Sequence, residues 1–551
     1  MTLTTRPFVK LFTLSTLCLA LAACQDKQAD KTATAPAAES TNTTSQNTAN
    51  TETGGEMSEE FATGPKAAAD RALAPTAIST SQDGKATTIA VDFGNATIGK
   101  YAAPIRGLII TPNKATTPTP LIVLSHLRAP NCADMDARFP CHDGVAELRF
   151  DHGMQYLGEH LAAQGYTVII PDLSPAFIGL GVTEPYDQPK LWQDIVSRFR
   201  DELKAAAADD KHFGTPVAAV DFTTVGLFLH SRSGQMTTAA EQVFGKDNIK
   251  SIFAYAPSYE TFELADISPA PQDIPYLAIV GSLDTDVGAS ANLWLSHYTT
   301  TPRQTAASTV ELSGFGHMSI NRTAVQAEMD DRRGCDIITC HDDKAHEKML
   351  LTAVDDWFGA TIQGKDSTLP TKPHQALPKT VAGYPARWLA LSAQSKGFID
   401  AKDFGDSDGV KYCAYSDPMN PASAIMPACP EPEMGVVQAI TPVAYLSNAA
   451  KATTNIQGAT ALALQIAPTG SHGDKGTTVD ITLALDDGNA VSLTLDPTDP
   501  ALIERVSEHD SGMYRLGTVQ VDLPKAVQNR TITAVTISSD HPVIVRSVDF
   551  W

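Results

Sequence analysis

Val225-Gly226-Leu227-Phe228-Leu229-His230-Ser231-Arg232-Ser233-Gly234 decides the fold. An apolar run of strand character ends at a serine, and a helix-like run of small residues follows at once. So sharp a turn between strand and helix lifts one side chain clear of the sheet beneath it. The pattern predicts that Ser231 is that residue. A further apolar run, 276–280, leads to Asp284, and a strand-like stretch, 309–312, leads to His317 in Gly314-Phe315-Gly316-His317. Serine, aspartate and histidine thus follow one another along the chain, each just past the end of a predicted strand.

Working outward, strands and helices alternate. Residues 121–125 form a continuous apolar run and read as a buried parallel strand. Residues 154–164 read as a helix stopped by Gly165, and 167–170 as the next strand. The segment 191–203 places Trp192, Ile195, Val196, Phe199 and Leu203 on one helical face. Another strand is expected over 252–256. A helix over 345–358 would bury Leu350, Val354 and Trp357. Such alternation over 76–365 predicts an α/β domain with a doubly wound, mostly parallel sheet. Reactive groups in such sheets gather at the carboxyl ends of the strands.

Beyond residue 376 the period changes to two. Val479, Ile481, Leu483 and Leu485 alternate with mostly polar neighbours. Asp486-Asp487-Gly488-Asn489 makes a turn, and Val491, Leu493 and Leu495 alternate back as a hairpin. Residues 543–551 read as a last strand. Residues 376–551 are expected to form a separate all-β, jelly-roll-like sandwich.

The N-terminus reads as an export signal over 1–23, with Arg6 and Lys10 ahead of the apolar run 11–21. That run is too short to span a membrane. Leu21-Ala22-Ala23-Cys24 resembles a bacterial lipoprotein cleavage box, which makes Cys24 the lipid-bearing mature N-terminus. Gln25 after it resembles an outer-membrane sorting signal. Residues 24–75 are rich in Thr, Ala, Ser, Asn and Gln and read as a disordered tether with a reach of roughly 40 Å. The expected address is therefore an exported lipoprotein held at the outer membrane through its lipid. Eight cysteines occur. Cys18 leaves with the signal, and six remain besides Cys24, in close pairs: Cys132/Cys141, Cys335/Cys340 and Cys413/Cys429. An exported chain with an even count favours disulfides, and pairing by proximity is one of several connectivities.

The formal net charge is −22, from 41 basic and 63 acidic residues, with no basic run. Nucleic acid is thereby excluded as a partner, since phosphate binding needs clustered Lys and Arg. No cysteine or histidine spacing suggests zinc. Asp342-Asp343 and Asp486-Asp487 lack calcium-loop spacing. No metal and no cofactor is expected.

The three ordered residues carry a definite chemistry. A serine hydroxyl attacks a carbonyl only when a base takes its proton. His317 would be that base, with Asp284 holding the imidazole in the right tautomer. The oxyanion formed needs donors already in place, each worth ~100–1,000-fold in rate. The N–H of Arg232 would supply one, and that of Leu127 or Arg128 the other. Ser233 is the alternative nucleophile, and Asp286 and Glu260 are alternative acids. His126, His152, His160 and His230 read as structural or pocket-lining.

The chain resembles the serine α/β-hydrolases related to platelet-activating-factor acetylhydrolases and dienelactone hydrolases. The resemblance rests on Leu121-Ile122-Val123-Leu124-Ser125-His126, Tyr156-Leu157-Gly158-Glu159-His160-Leu161-Ala162, Gly165-Tyr166-Thr167-Val168, the 225–234 stretch, Pro275-Tyr276-Leu277-Ala278-Ile279-Val280-Gly281 and Gly316-His317. It spans about 120–320 and is strongest to large bacterial forms with a β-rich tail. The order Ser, Asp, His is the one that class uses. The resemblance implies carboxylic-ester hydrolysis through an acyl-enzyme, without a cofactor, on a small-molecule, lipid or polymer ester. The chain departs from the family pattern at Leu229 and Ser233, where Gly-x-Ser-x-Gly has glycines, and at Leu127, where His-Gly is usual. A bulky Leu229 is expected to strain or re-space the turn. These departures motivate an alternative, a catalytically degenerate body that binds ligands at the surface through its β-sandwich. The apolar stretch 176–182 is a candidate acyl-pocket wall or lid.

Overall fold

The computed structural model describes residues 70–98, 101–177, 187–260, 268–269, 273–288, 290–332, 335, 339–391, 395–414, 427, 429–430, 442–469, 476–503 and 515–551. The signal segment, Cys24, most of the tether and residues 178–182 of the candidate lid lie outside them.

The larger sheet contains β1 (Ala77–Thr80), β2 (Ala86–Ile98), β3 (Tyr101–Pro112), β4 (Thr119–Ser125), β5 (Thr167–Pro171), β6 (Val220–His230), β7 (Ile249–Tyr255), β8 (Tyr276–Gly281), β9 (Ala307–Leu312), β10 (Thr380–Val381) and β11 (Tyr384–Ala390). Their order across the sheet is β1-β2-β3-β5-β4-β6-β7-β8-β9-β11-β10. The run from β5 to β9 is parallel throughout. The strands on either flank are antiparallel.

The parallel strands are apolar along both faces because helices cover both. Leu121 and Val123 of β4 and Val225, Leu227 and Leu229 of β6 join one core. The helix Gln188–Ala206 supplies Trp192, Ile195, Val196, Phe199 and Leu203 to it. Ile122 and Leu124 of β4 and Phe228 of β6 join the opposite core. There the helices Gln155–Ala163 and Asp343–Thr361 contribute Leu157, Leu161, Leu350, Val354, Trp357 and Phe358. Each fully buried side chain of this size stabilises the fold by ~1.5–3 kcal/mol. Local chemistry sets the helix starts. Asp187 accepts from the Lys190 amide at 3.0 Å, and Asp342 from the Ala345 amide at 2.8 Å.

The strand order also locates a crevice. From β4 the chain moves outward to β5, then crosses back over β4 to β6 and continues in the other direction. The carboxyl ends of β4 and β6 therefore flank the switch point, where open α/β sheets place their ligands. His126 and Leu127 follow β4, and Ser231 follows β6.

The second body is all antiparallel. One sheet has the order β13 (Val410–Ala414), β14 (Pro442–Leu446), β21 (Val543–Phe550), β16 (Ala461–Pro468), β19 (Gly517–Asp522), with β12 (Gly397–Asp400) also on β21. The other runs β15 (Ala450–Gln457), β20 (Thr531–Ser539), β17 (Val479–Leu485), β18 (Ala490–Thr494). Val479, Ile481, Leu483 and Leu485 are buried in a core that both sheets share. β17 and β18 form the expected hairpin.

The passage from one body to the other comes later than residue 376. β11 pairs with β9, from Ala386 opposite Leu312 to Ala390 opposite Ser308, and so extends the larger sheet. Its residues are buried on both faces, with Trp388 in one core and Leu389 in the other. The bodies are then fused through apolar contact. Cys413, Val443, Tyr445, Leu516 and Ile544 sit in the same core as Trp294 and Leu295 of the helix Ser290–His297. Arg515 donates to Glu311 at 2.7 Å, Asn292 to the Leu516 carbonyl at 2.9 Å, and Gln465 to the Ala390 carbonyl at 2.8 Å. Three disulfides join Cys132 to Cys141, Cys335 to Cys340 and Cys413 to Cys429.

Candidate active site

β6 ends at His230, and Ser231 opens a short 3-10 turn over Ser231–Met236 that leads into the helix Thr237–Phe244. Ser231 adopts φ 58°, in the left-handed region that few non-glycine residues enter. Such a conformation costs about 1–3 kcal/mol and persists only where the surroundings enforce it. Here the Ser258 amide donates to the Ser231 carbonyl at 2.9 Å. Ser233 donates its hydroxyl to the His126 carbonyl at 2.6 Å and is fully buried. Ser233 is thus a tie between the elbow and the loop after β4, and the strained position belongs to Ser231.

His317 follows β9 and is fully buried. Its Nδ1 meets Asp284 Oδ2 at 3.0 Å. Of the three acids considered, Asp284 is the one on Nδ1. Its other oxygen accepts from the amides of Asp286, Val287 and Gly288 at 2.9–3.3 Å, which fixes the carboxylate. Asp286 lies on the opposite edge of the imidazole, with Oδ2 3.3 Å from Nε2. Nε2 has no hydrogen-bond partner among the described residues, Ser231 included. Burial opposes a charge on His317. Asp284, by charge and hydrogen bond, then Asp286 and Asp331, outweigh it and carry the imidazole up to about 9.

Three supports of this loop are not marked by any sequence motif. Asp331 accepts from the His317 amide at 2.9 and 3.0 Å, from Met318 at 3.1 Å and from Thr285 at 3.2 Å, so one side chain clamps both the acid and the base loops. Burial and then the Asp284 charge raise its carboxyl above the usual range. Tyr255 donates to the Gly316 carbonyl at 2.6 Å. His346 accepts from the Gly316 amide at 3.0 Å. His230, expected as structural or pocket-lining, places Nε2 3.2 Å from the His317 carbonyl, with the two rings 5.0 Å apart. Burial, followed by the His317 charge, holds His230 well below the usual histidine range, so it acts as a neutral donor. His160 pairs with Asp355 at 2.8 Å, and His152 is exposed.

Leu127 and Arg128, expected as oxyanion donors, lie in the loop after β4. His126 staples this loop: Nδ1 meets the Leu127 carbonyl at 2.8 Å, and Nε2 accepts from the Leu173 amide at 2.8 Å. The second contact requires an unprotonated Nε2, so Nδ1 carries the proton. Leu127 is buried against Phe150 and Ala324, and the half-buried Arg128 follows it. Arg232 is the second residue of its turn, where amides lack an intrahelical acceptor. The Ser233–His126 bond ties these two segments together.

The substituted glycines are accommodated separately. Leu229 packs into the core beneath the helix Gln188–Ala206, whereas Leu127 belongs to the small cluster around Phe150. Close backbone approach occurs one residue past Ser233, at Gly234, where a Cβ would lie 2.7 Å from Pro257 Cβ. It recurs at Gly281, where a Cβ would lie 2.2 Å from the Phe315 carbonyl oxygen. Gly281→Ala is therefore expected to push the His317 loop outward. It should cost about 1–3 kcal/mol and lower kcat by up to ~100-fold. Thermal melting and steady-state kinetics on the same preparation check both effects.

A small cleft lies beside the elbow helix, lined among others by Gln235, Glu241, Tyr259 and Trp294. Ser231, Asp284 and His317 are not in its wall. Among the described residues, no three His, Cys, Asp or Glu side chains are grouped to hold a metal ion. No described helix is long and apolar enough to cross a membrane.

No family model matches the sequence, and no curated protein matches it. Among solved structures, the chain is similar to one from Klebsiella pneumoniae subsp. pneumoniae, described provisionally as a dienelactone hydrolase. Identity is 15% and the TM-score 0.29, over 49% of this chain and 98% of that one. A likeness that distant carries no inference about the site. The architecture itself, mixed α/β around a large, mostly parallel sheet, fits an α/β-hydrolase fold.

Proposed function

We propose that this protein is a serine hydrolase that cleaves carboxylic esters through an acyl-enzyme, exported and anchored to a membrane through lipid on Cys24. The observation that carries the reading is the strained Ser231 at the switch point, beside a loop in which Asp284 holds Nδ1 of a buried His317. In this reading Ser231 Oγ attacks the ester carbonyl while His317 Nε2 takes its proton. The amides of Arg232 and of Leu127 or Arg128 receive the oxyanion. His317 returns the proton to the leaving alcohol, and water then repeats the cycle on the acyl-enzyme.

Turnover of p-nitrophenyl esters of increasing acyl length, with Ser231→Ala as the blank, tests the chemistry. Saturable hydrolysis of at least one ester, absent from the blank, is expected. Equal rates for the two proteins would reject the reading. The anchoring claim is checked separately. Cys24→Ala should move the protein from the membrane fraction to the soluble fraction without changing kcat, and continued sedimentation with the membrane would contradict it.

A further inference from the structure

Asp286 is the charged group of this site that the proposed chemistry leaves unused. Its carboxylate stands 3.3 Å from His317 Nε2, the nitrogen that a serine nucleophile must address. We propose that Asp286 competes with Ser231 for this nitrogen, and that releasing its carboxylate arms the site. The inference rests on the serine-hydrolase reading and adds a regulation of that same site.

Two geometric observations carry it. First, the two edges of the imidazole face carboxylates of one loop, Asp284 on Nδ1 and Asp286 on Nε2. Asp284 is fixed by three amides and has a fully buried side chain, whereas the Asp286 side chain is 44% exposed. One carboxylate is therefore built in, and the other is free to swing into solvent. Second, Nε2 is buried and makes no hydrogen bond among the described residues.

With the imidazole doubly protonated, its positive Nε2 edge lies 3.3 Å from Asp286 Oδ2, a charge contact without a hydrogen bond, and the nitrogen has no lone pair with which to accept the serine proton. Displacement of Asp286 by a bound ester weakens the hold of Nε2 on its own proton, and loss of that proton to solvent restores the lone pair. The remaining groups around His317 do not perform this exchange. Asp331 is engaged by the backbone amides of His317 and Met318. Neutral His230 and Tyr255 bond to backbone carbonyls, and His346 bonds to the Gly316 amide. The Arg332 guanidinium pairs with Asp330.

The raised imidazole gives the direction of the pH effect. His317 is lifted from 6.5 to about 9 in the folded chain. A group raised on folding contributes stability that is complete below its unfolded value and is lost as pH climbs through its folded value. Thermal stability should therefore fall between about pH 6.5 and 9, over the range in which turnover rises.

The test follows the rate of fluorophosphonate labelling and kcat/KM for p-nitrophenyl acetate from pH 5.5 to 10, in wild type, Asp286→Asn and Asp286→Ser. The second variant guards against an asparagine that keeps the contact or misfolds. The acid limb should move down by about one pH unit, so that labelling at pH 7 is about ten-fold faster in the variants. Rates should converge with the wild type above about pH 9.5. The loss of melting temperature with rising pH should shrink in parallel. Variant profiles that superimpose on the wild type, or lie below it at every pH, overturn the proposal. If Ser231→Ala is inert in the same assay, the triad reading survives that failure; if Ser231→Ala labels like the wild type, the underlying reading fails instead.

Discussion

Ser231→Ala is expected to lower kcat on the best p-nitrophenyl ester by ~10⁵–10⁶-fold while leaving the melting temperature unchanged or slightly raised. The loss is large because serine, base and acid act as one unit, so deleting the nucleophile removes nearly everything the unit contributes. The thermal behaviour follows from the geometry. Ser231 is held at φ 58°, where alanine is no better suited. Ser233→Ala gives the opposite signature, because it breaks the bond to the His126 carbonyl that joins the elbow to the loop after β4. That variant should lose about 1–3 kcal/mol and keep its labelling by an active-site probe. Steady-state kinetics and melting curves on the pair decide which serine carries the chemistry.

Asp284→Asn is expected to cut kcat by ~10⁴-fold. The shape of the acid is kept, but the amide can present its NH₂ to Nδ1 and so turn the proton onto Nε2, the wrong tautomer for a base. Removing the carboxylate beside His317 also withdraws the main support for its raised imidazole, so the acid limb of the residual activity should move down in pH. The stabilisation of the charged imidazole, present below about pH 6.5 and lost towards 9, should weaken with it. A pH-rate profile of the variant, measured with enough enzyme to see the residual rate, checks both statements. An unaltered kcat would mean that the contact at 3.0 Å is structural.

The parallel half of the fold was legible because burial on both faces leaves continuous apolar runs in strands such as β4 and β8. The helix Gln188–Ala206 was legible for the complementary reason, a stripe of Trp192, Ile195, Val196, Phe199 and Leu203 at helical spacing. The ribbon β1–β3 was not, since antiparallel flanking strands carry mixed sequences and no turn signal that ties them to a distant sheet. β11 lies past residue 376 among β-rich neighbours, so its residues read as part of the tail. Its partner β9 lies some seventy residues earlier, and only their register reveals the pairing. Ser231, Asp284 and His317 could be singled out because each follows a strand-like stretch. Asp331 could not, because what it binds are backbone amides, and nothing in the local sequence records that. Leu229 and Ser233 depart from the family pattern in a way the local sequence does not explain. The pattern expects small residues beside the serine, yet the backbone makes its close approach at Gly234, and Leu229 has room in the core beneath.

Peptide mapping of the adduct formed with a fluorophosphonate probe identifies which oxygen atom is the nucleophile. A single phosphonylated residue, Ser231, is expected, whose labelling disappears on heat denaturation and in His317→Ala. An adduct on Ser233, or a natively folded protein that takes up no probe between pH 6 and 10, would contradict it.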